Sequence, residues 1–130
     1  MKEVYDFLKE AKTYYLATID NTTPRVRPFG TIDLFEDKLY IQTGKSKDVY
    51  KQITNNPTVE ICAFNNGKWI RVTGKLIPDD RIEAKKHMLD NYPELRGMYN
   101  ENDDNTIVLY FESFKAVISS FTEPPKTIEY

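Results

Sequence analysis

The chain has 130 residues, 40% of them hydrophobic and 13% aromatic, with a formal net charge of -2. That length suits one domain with a modest core, and a near-neutral charge gives no global pull towards nucleic acid or an anionic membrane. One cysteine and one histidine exclude an internal disulfide and a zinc site of the usual ligand set within one chain.

At the start, Val4, Phe7, Leu8 and Ala11 are spaced i, i+3, i+4, i+7, which predicts an amphipathic helix over residues 2–12. Its interspersed acids are those of no signal peptide, and no run in the chain is long and apolar enough to cross a membrane. A cytoplasmic location is the expectation. Strand-like runs follow at 14–20, 25–35, 39–43, 58–64, 68–77 and 106–120, rich in Val, Ile, Thr, Tyr and Phe. Asn21-Thr22-Thr23-Pro24, Glu36-Asp37 and Asn65-Asn66-Gly67 have the composition of hairpin turns. Cys62 lies in an apolar run and reads as a buried thiol.

The second run carries PRVRPFG, residues 24–30. Arg25 and Arg27 are two apart and share a face of an extended segment. Pro28 has no N–H to give a ladder and marks an edge, a bulge or a split, and Gly30 permits close approach to the backbone. The arginines could grip a phosphate, or they could be a solvated pair on an edge strand.

Residues 38–57, KLYIQTGKSKDVYKQITNNP, contain the Gly-Lys-Ser that ends a P-loop. The glycine that motif needs five positions earlier is replaced by Leu39, within an alternating strand pattern. The stretch predicts a strand, a turn, and a helix from about Lys47 to Asn55 with Ser46 as N-cap. A helix N-terminus flanked by Thr43, Lys45, Ser46 and Lys47 suits one phosphate monoester better than a triphosphate. Taken alone, it is more simply an ordinary strand–turn–helix with solvated lysines.

Farther on, Ile70 and Val72 face one side of a predicted strand while Trp69, Arg71 and Thr73 face the other. Trp and Arg at alternate positions can cover a flat ring or anchor an interface. Asp80 and Glu83 have capping-box spacing for a third helix ending near Asn91, on which His87 reads as a solvated surface residue. Residues 96–105 read as a polar loop, and the tail from Thr122 to Tyr130, with Pro124-Pro125, is excluded from a central strand. These elements predict a single domain over 1–130, with 122–130 as its tail: a mainly β fold whose six antiparallel strands form a closed or nearly closed barrel with peripheral helices. No residue can be assigned as a general acid, base or nucleophile, so a cofactor would have to carry any chemistry.

The ordered set YYLATID, PRVRPFG, KLYIQTGKSKDVYKQITNNP, VEICAF and WIRVTGKL resembles the pyridoxamine 5'-phosphate oxidase-like split-barrel flavoproteins, in particular their short general-stress and nitroimidazole-resistance-related members. The resemblance spans residues 3 to 122. It implies a six-stranded split barrel and a homodimer with two flavin mononucleotide (FMN) sites shared between subunits. It implicates Arg25, Arg27, Pro28 and Phe29 on one strand, and Thr43, Lys45, Ser46 and Lys47 as phosphate contacts. Trp69, Arg71 and the region near Phe121 would come from the partner subunit. The C-terminal FTEPPKTIEY is not the basic, Trp-containing segment of true pyridoxamine phosphate oxidases, and His87 does not match the flavin-proximal histidine of nitroimidazole-resistance members. The resemblance therefore implies an FMN-dependent oxidoreductase acting on a small organic substrate, with a nicotinamide as a possible electron donor. Its alternatives are a non-catalytic flavin-binding sensor or storage protein, and a haem- or deazaflavin-binding barrel.

Overall fold

The computed structural model describes residues 1–130. Its elements run α1 (Lys2–Ala11), β1 (Tyr14–Asp20), β2 (Thr23–Phe29), β3 (Asp33–Phe35), β4 (Lys38–Gly44), α2 (Asp48–Asn55), β5 (Thr58–Asn65), β6 (Lys68–Asp79), α3 (Ile82–Asn91), a 3-10 helix (Pro93–Gly97), β7 (Thr106–Ser120) and β8 (Lys126–Glu129). Every strand pair is antiparallel. The hydrogen-bonded order is β2-β1-β5-β6-β7-β4-β3, with β8 added beside β7. β7 is long enough to take two partners along one edge, β4 over Thr106–Tyr110 and β8 over Lys115–Ile118, while β6 occupies the other edge.

Two differences separate this sheet from the six-stranded barrel expected. The run 25–35 is divided between β2 and β3, and the tail supplies β8. No ladder joins β2 to β3 or β4, so hydrogen bonding leaves the barrel split rather than closed. The division at Gly30–Ile32 is sustained by side chains that satisfy its backbone. Tyr14 donates its hydroxyl proton to the Thr31 carbonyl at 2.6 Å. The Tyr92 hydroxyl donates to the Ile32 carbonyl at 3.1 Å and accepts the Ile32 N–H at 3.0 Å.

The core follows strand alternation. Tyr14 and Leu16 of β1, Val59, Ile61 and Ala63 of β5, and Ile70 and Val72 of β6 all point inward. Val4 and Leu8 of α1 and Val49 and Ile53 of α2 cover this layer, and Ala84 and Met88 of α3 pack with Tyr40 and Val108 in a second cluster. Each fully buried aliphatic side chain contributes roughly 1.5–3 kcal/mol. The same alternation corrects Cys62. It follows the parity of Glu60 and Phe64, not that of Ile61, and is exposed.

Helix starts also differ from expectation. Lys47, not Ser46, is the N-cap of α2, and Arg81 is that of α3; neither makes a side-chain capping bond. Asp80 does not enter a capping box, because its carboxylate is held by Lys45 at 3.1 Å and Lys85 at 2.6 Å. His87 is half-exposed but not free: Nδ1 lies 2.6 Å from the buried Asp33 carboxylate, and the ring packs 4.8 Å from Phe35.

Between Gly74 and Leu76 the β6–β7 register shifts, a bulge that bends the two longest strands. A Cβ at Gly74 would collide with the Ser113 carbonyl oxygen and come within 2.9 Å of Phe111 Cδ1. Gly74→Ala is therefore expected to lower the unfolding free energy by about 1–3 kcal/mol in a denaturant titration. An unchanged midpoint would contradict this account of the bulge.

Candidate functional site

β2 places Arg25 and Arg27 opposite Thr18 and Leu16 of β1, on the side of β1 where α2 packs. Arg27 is held by neutral oxygens. Nη1 donates to the Leu16 carbonyl at 3.1 Å and the Thr18 hydroxyl at 2.8 Å, and Nη2 donates to Gln52 Oε1 at 2.6 Å. Because a guanidinium can only donate, these contacts orient the Gln52 amide with its oxygen towards Arg27. Thr18 then donates its hydroxyl proton to the same Gln52 oxygen at 2.6 Å. No carboxylate pairs with Arg27, so its charge is oriented without being neutralised. Burial, and then the neighbouring Arg25 charge, lower the Arg27 guanidinium from its usual value; it stays cationic.

Along α2, Asp48, Lys51, Gln52 and Asn55 form a polar stripe at i, i+3, i+4, i+7, opposite the buried Val49 and Ile53. The stripe and β2 enclose an open cleft of about 720 Å³, whose walls include Arg25, Arg27, Lys47, Lys51 and Gln52. Arg25 faces Asp20 at 3.4 Å, whereas Arg27, Lys47 and Lys51 have no ion-pair partner. Four cations against the two carboxylates Asp20 and Asp48 leave the cleft electropositive.

A second cleft, of about 310 Å³, adjoins the first and shares Arg27, Lys47 and Val49 with it. Pro28, Phe29, Gln42 and Thr43 line one part of it, and Leu95, Met98 and Tyr99 another. Of the residues expected at a cofactor site, Arg25, Arg27, Pro28, Phe29, Thr43 and Lys47 are thus brought together around two communicating clefts.

Two expected phosphate contacts, Lys45 and Ser46, line neither cleft. Lys45 reaches Asp80, and the Ser46 N–H donates to Asn105 Oδ1 at 2.9 Å. The Lys47 N–H closes on the Gly44 carbonyl at 3.0 Å. The turn therefore offers the cleft side-chain charge rather than the N–H groups of Ser46 and Lys47. Lys51 and Gln52 were missed in the sequence, although the polar stripe carrying them was visible as a helical spacing.

Trp69, Arg71 and Phe121 lie elsewhere. Trp69 and Arg71 are on the outward side of β6, and the Trp69 ring meets that of Phe121 at 5.0 Å between centroids. None of the three lines either cleft. The outward face around them carries Tyr15 at 52%, Phe64 at 65% and Phe121 at 91% exposure, an apolar surface of the kind that marks interaction sites. No helix is long and apolar enough to cross a membrane.

Residues 1–104 match the family model described as Pyridoxamine 5'-phosphate oxidase. A NimC/NimA family protein from Clostridium acetobutylicum is 42% identical, with 100% of this chain and 92% of that one aligned at a TM-score of 0.97. General Stress Protein 26 from Bacillus anthracis str. Sterne is 18% identical over 99% of this chain and 98% of its own, at a TM-score of 0.78. A pyridoxamine 5'-phosphate oxidase-related, FMN binding protein from Nostoc punctiforme PCC 73102 is 17% identical over 97% and 90%, at a TM-score of 0.64. No curated protein matches the sequence.

Proposed function

The chain belongs to the pyridoxamine 5'-phosphate oxidase family, and from that premise we propose that it binds FMN, with the phosphate in the Arg27–Lys47–Lys51 cleft and the ring system reaching into the adjoining cleft beside Phe29 and Thr43. The observation that carries this reading is the set of three cations without carboxylate partners, Arg27 from β2 and Lys47 and Lys51 from the α2 side, that line one cleft. The donor set fits the group. A phosphate monoester carries about two negative charges and three strong acceptor oxygens. Arg27 has five N–H donors, of which three are used within the protein, and two remain for a ligand. Lys47 and Lys51 add mobile point charges, and the Gln52 amide NH2 makes no bond within the chain.

FMN, when bound, supplies a ring that accepts and donates electrons, which this chain's side chains cannot do. The protein's part is to bind and orient. Arg27, fixed by Thr18 and Gln52, gives the phosphate a directional anchor, and Lys47 closes over it from the α2 side. Thr43 and Gln42, at the end of β4, place polar atoms at the second cleft, and Phe29 and Tyr99 give it aromatic walls.

Loss of one charge-assisted contact costs about 1.5–3 kcal/mol, so Lys47→Ala should weaken FMN binding about 10- to 150-fold in a fluorescence titration. Riboflavin, which has no phosphate, should bind both proteins alike. FMN binding untouched by the substitution would remove the phosphate from this cleft.

The second part of the reading is assembly. Two open clefts on one chain leave a planar ring exposed on one side, while the aromatic face around Trp69 and Phe121 has nothing to cover in a monomer. A homodimer that lays the Trp69, Arg71 and Phe121 face of each subunit over the partner's cleft satisfies both, and a two-fold arrangement makes two such sites. Light scattering of the flavin-loaded protein should give twice the chain mass; a monomer with flavin bound would rule this out.

The third part is activity. A site with cationic and hydroxyl donors, aromatic walls and no evident general base suits electron transfer to a small organic acceptor better than hydrolysis. NADH or NADPH mixed anaerobically with the flavin-loaded protein should bleach the flavin absorbance, and a quinone or nitro compound should restore it. Flavin that dithionite reduces but neither nicotinamide does would leave a binding protein in place of an oxidoreductase of this kind.

A further inference from the structure

The polar loop before β7 has contacts that its composition did not announce. Asn105 grips the turn between β4 and α2 at two points. Its carbonyl accepts the Lys45 N–H at 2.7 Å, and its side-chain Oδ1 accepts the Ser46 N–H at 2.9 Å. Its amide also lies over Gly44, where an added Cβ would come within 2.8 Å of Nδ2. Asn105 is in turn fixed from behind. Asp103 Oδ1 accepts the N–H groups of Asn105 at 2.9 Å and Thr106 at 2.6 Å. Asp103 Oδ2 accepts the Asn100 N–H at 2.9 Å and the Thr106 hydroxyl at 3.0 Å. Burial raises the Asp103 carboxyl, but the backbone donors outweigh it and hold it at about 2, so the anchor stays ionised at neutral pH. Thr106 is fully buried and pairs with Gly44 across the β4–β7 ladder. A continuous chain of bonds therefore runs from the core through Thr106, Asp103 and Asn105 to the turn.

We propose that Asn105 is a positioning residue for the flavin phosphate: it fixes the turn Gly44–Lys47 so that the Lys47 ammonium is presented to the cleft beside Arg27. This inference rests on the reading that the cleft takes the phosphate of FMN. The Ser46 N–H is spent on Asn105, so the turn serves the anion through the Lys47 side chain, and that side chain is only as well placed as the backbone carrying it. The turn emerges from a buried Gly44 to an exposed Ser46 and Lys47, and left unheld it would have to be ordered at the moment of binding, which lowers affinity. Gly44 belongs to the same device, because only a residue without Cβ leaves room for the Asn105 amide.

The test is a double-mutant cycle, with FMN and riboflavin titrated into the wild type, Asn105→Ala, Gly44→Ala and the double variant. Each single substitution should weaken FMN binding about tenfold and leave riboflavin binding unchanged. The double variant should be no weaker than Asn105→Ala, because the added Cβ then has no amide to displace. An Asn105→Ala protein that keeps the wild-type preference for FMN over riboflavin would overturn the role of Asn105. Full additivity of the two substitutions would sever Gly44 from it and overturn the device as described. A wild type with no preference for FMN would instead overturn the phosphate reading, and this inference with it. Amide hydrogen exchange of the wild type gives an answer even if a variant fails to fold. The Ser46 N–H should be protected, and exchange at the rate of an unstructured peptide would show that Asn105 does not hold it.

Discussion

The candidate site depends on how Arg27 is held. Its partners are the Leu16 carbonyl, the Thr18 hydroxyl and the Gln52 amide oxygen, all neutral. A carboxylate in any of those places would have made an ordinary ion pair and ended the arginine's usefulness to an anion. Neutral acceptors fix the direction of the guanidinium and leave its charge available, which is the condition for preorganised anion binding. The same contacts join β1, β2 and α2, so the site and the packing of the helix are one structure. Removing Gln52 would free the Nη2 side of Arg27, with Nη1 still held by Leu16 and Thr18, and would loosen α2.

The split of the sheet serves this arrangement. β2 ends at Phe29 and the chain crosses Gly30–Ile32 before β3, which leaves β2 as a free edge beside α2 and opens the cleft there. A barrel closed by a β2–β4 ladder would fill that space with paired backbone. The cost of an unpaired crossing is met by Tyr14 and Tyr92, which bond its carbonyls from the core side and the α3 side. On the opposite face, the long β6–β7 pair carries Trp69 and Arg71 outward, so the aromatic surface and the electropositive cleft are separate in one chain.

Much of this was legible in the sequence wherever one residue face is buried and the other is not. The i, i+3, i+4 spacing of Val4, Phe7 and Leu8 and the alternation in TVEICAF gave α1 and β5 nearly to the residue. The family resemblance rested on the order of such pieces, and it singled out Arg25, Arg27, Thr43 and Lys47, which the fold does bring together. What stayed hidden depends on partners distant in sequence. Asn105 cannot be recognised as the holder of Ser46, 59 residues away, from a loop whose composition is only polar. Ser46 stands one residue before the Lys47 N-cap of α2, and the Asp80 carboxylate is held by Lys45 and Lys85. Cys62 was misplaced because it sits in the unbroken apolar run Ile61–Phe64, where hydrophobicity alone does not give parity; the polar Thr58 and Glu60 on its own face do. β8 is four residues long behind two prolines, too short to show a period, and it exists only because β7 extends beyond β4.

The most direct measurement is a crystal structure of the protein grown with FMN. The account predicts the phosphate within hydrogen-bond distance of Arg27 and Lys47, at the α2 end of the β2 cleft, with the ring beside Phe29 and Thr43. FMN with its phosphate outside the Arg27–Lys47–Lys51 cleft, or crystals that exclude the flavin at saturating concentration, would contradict it.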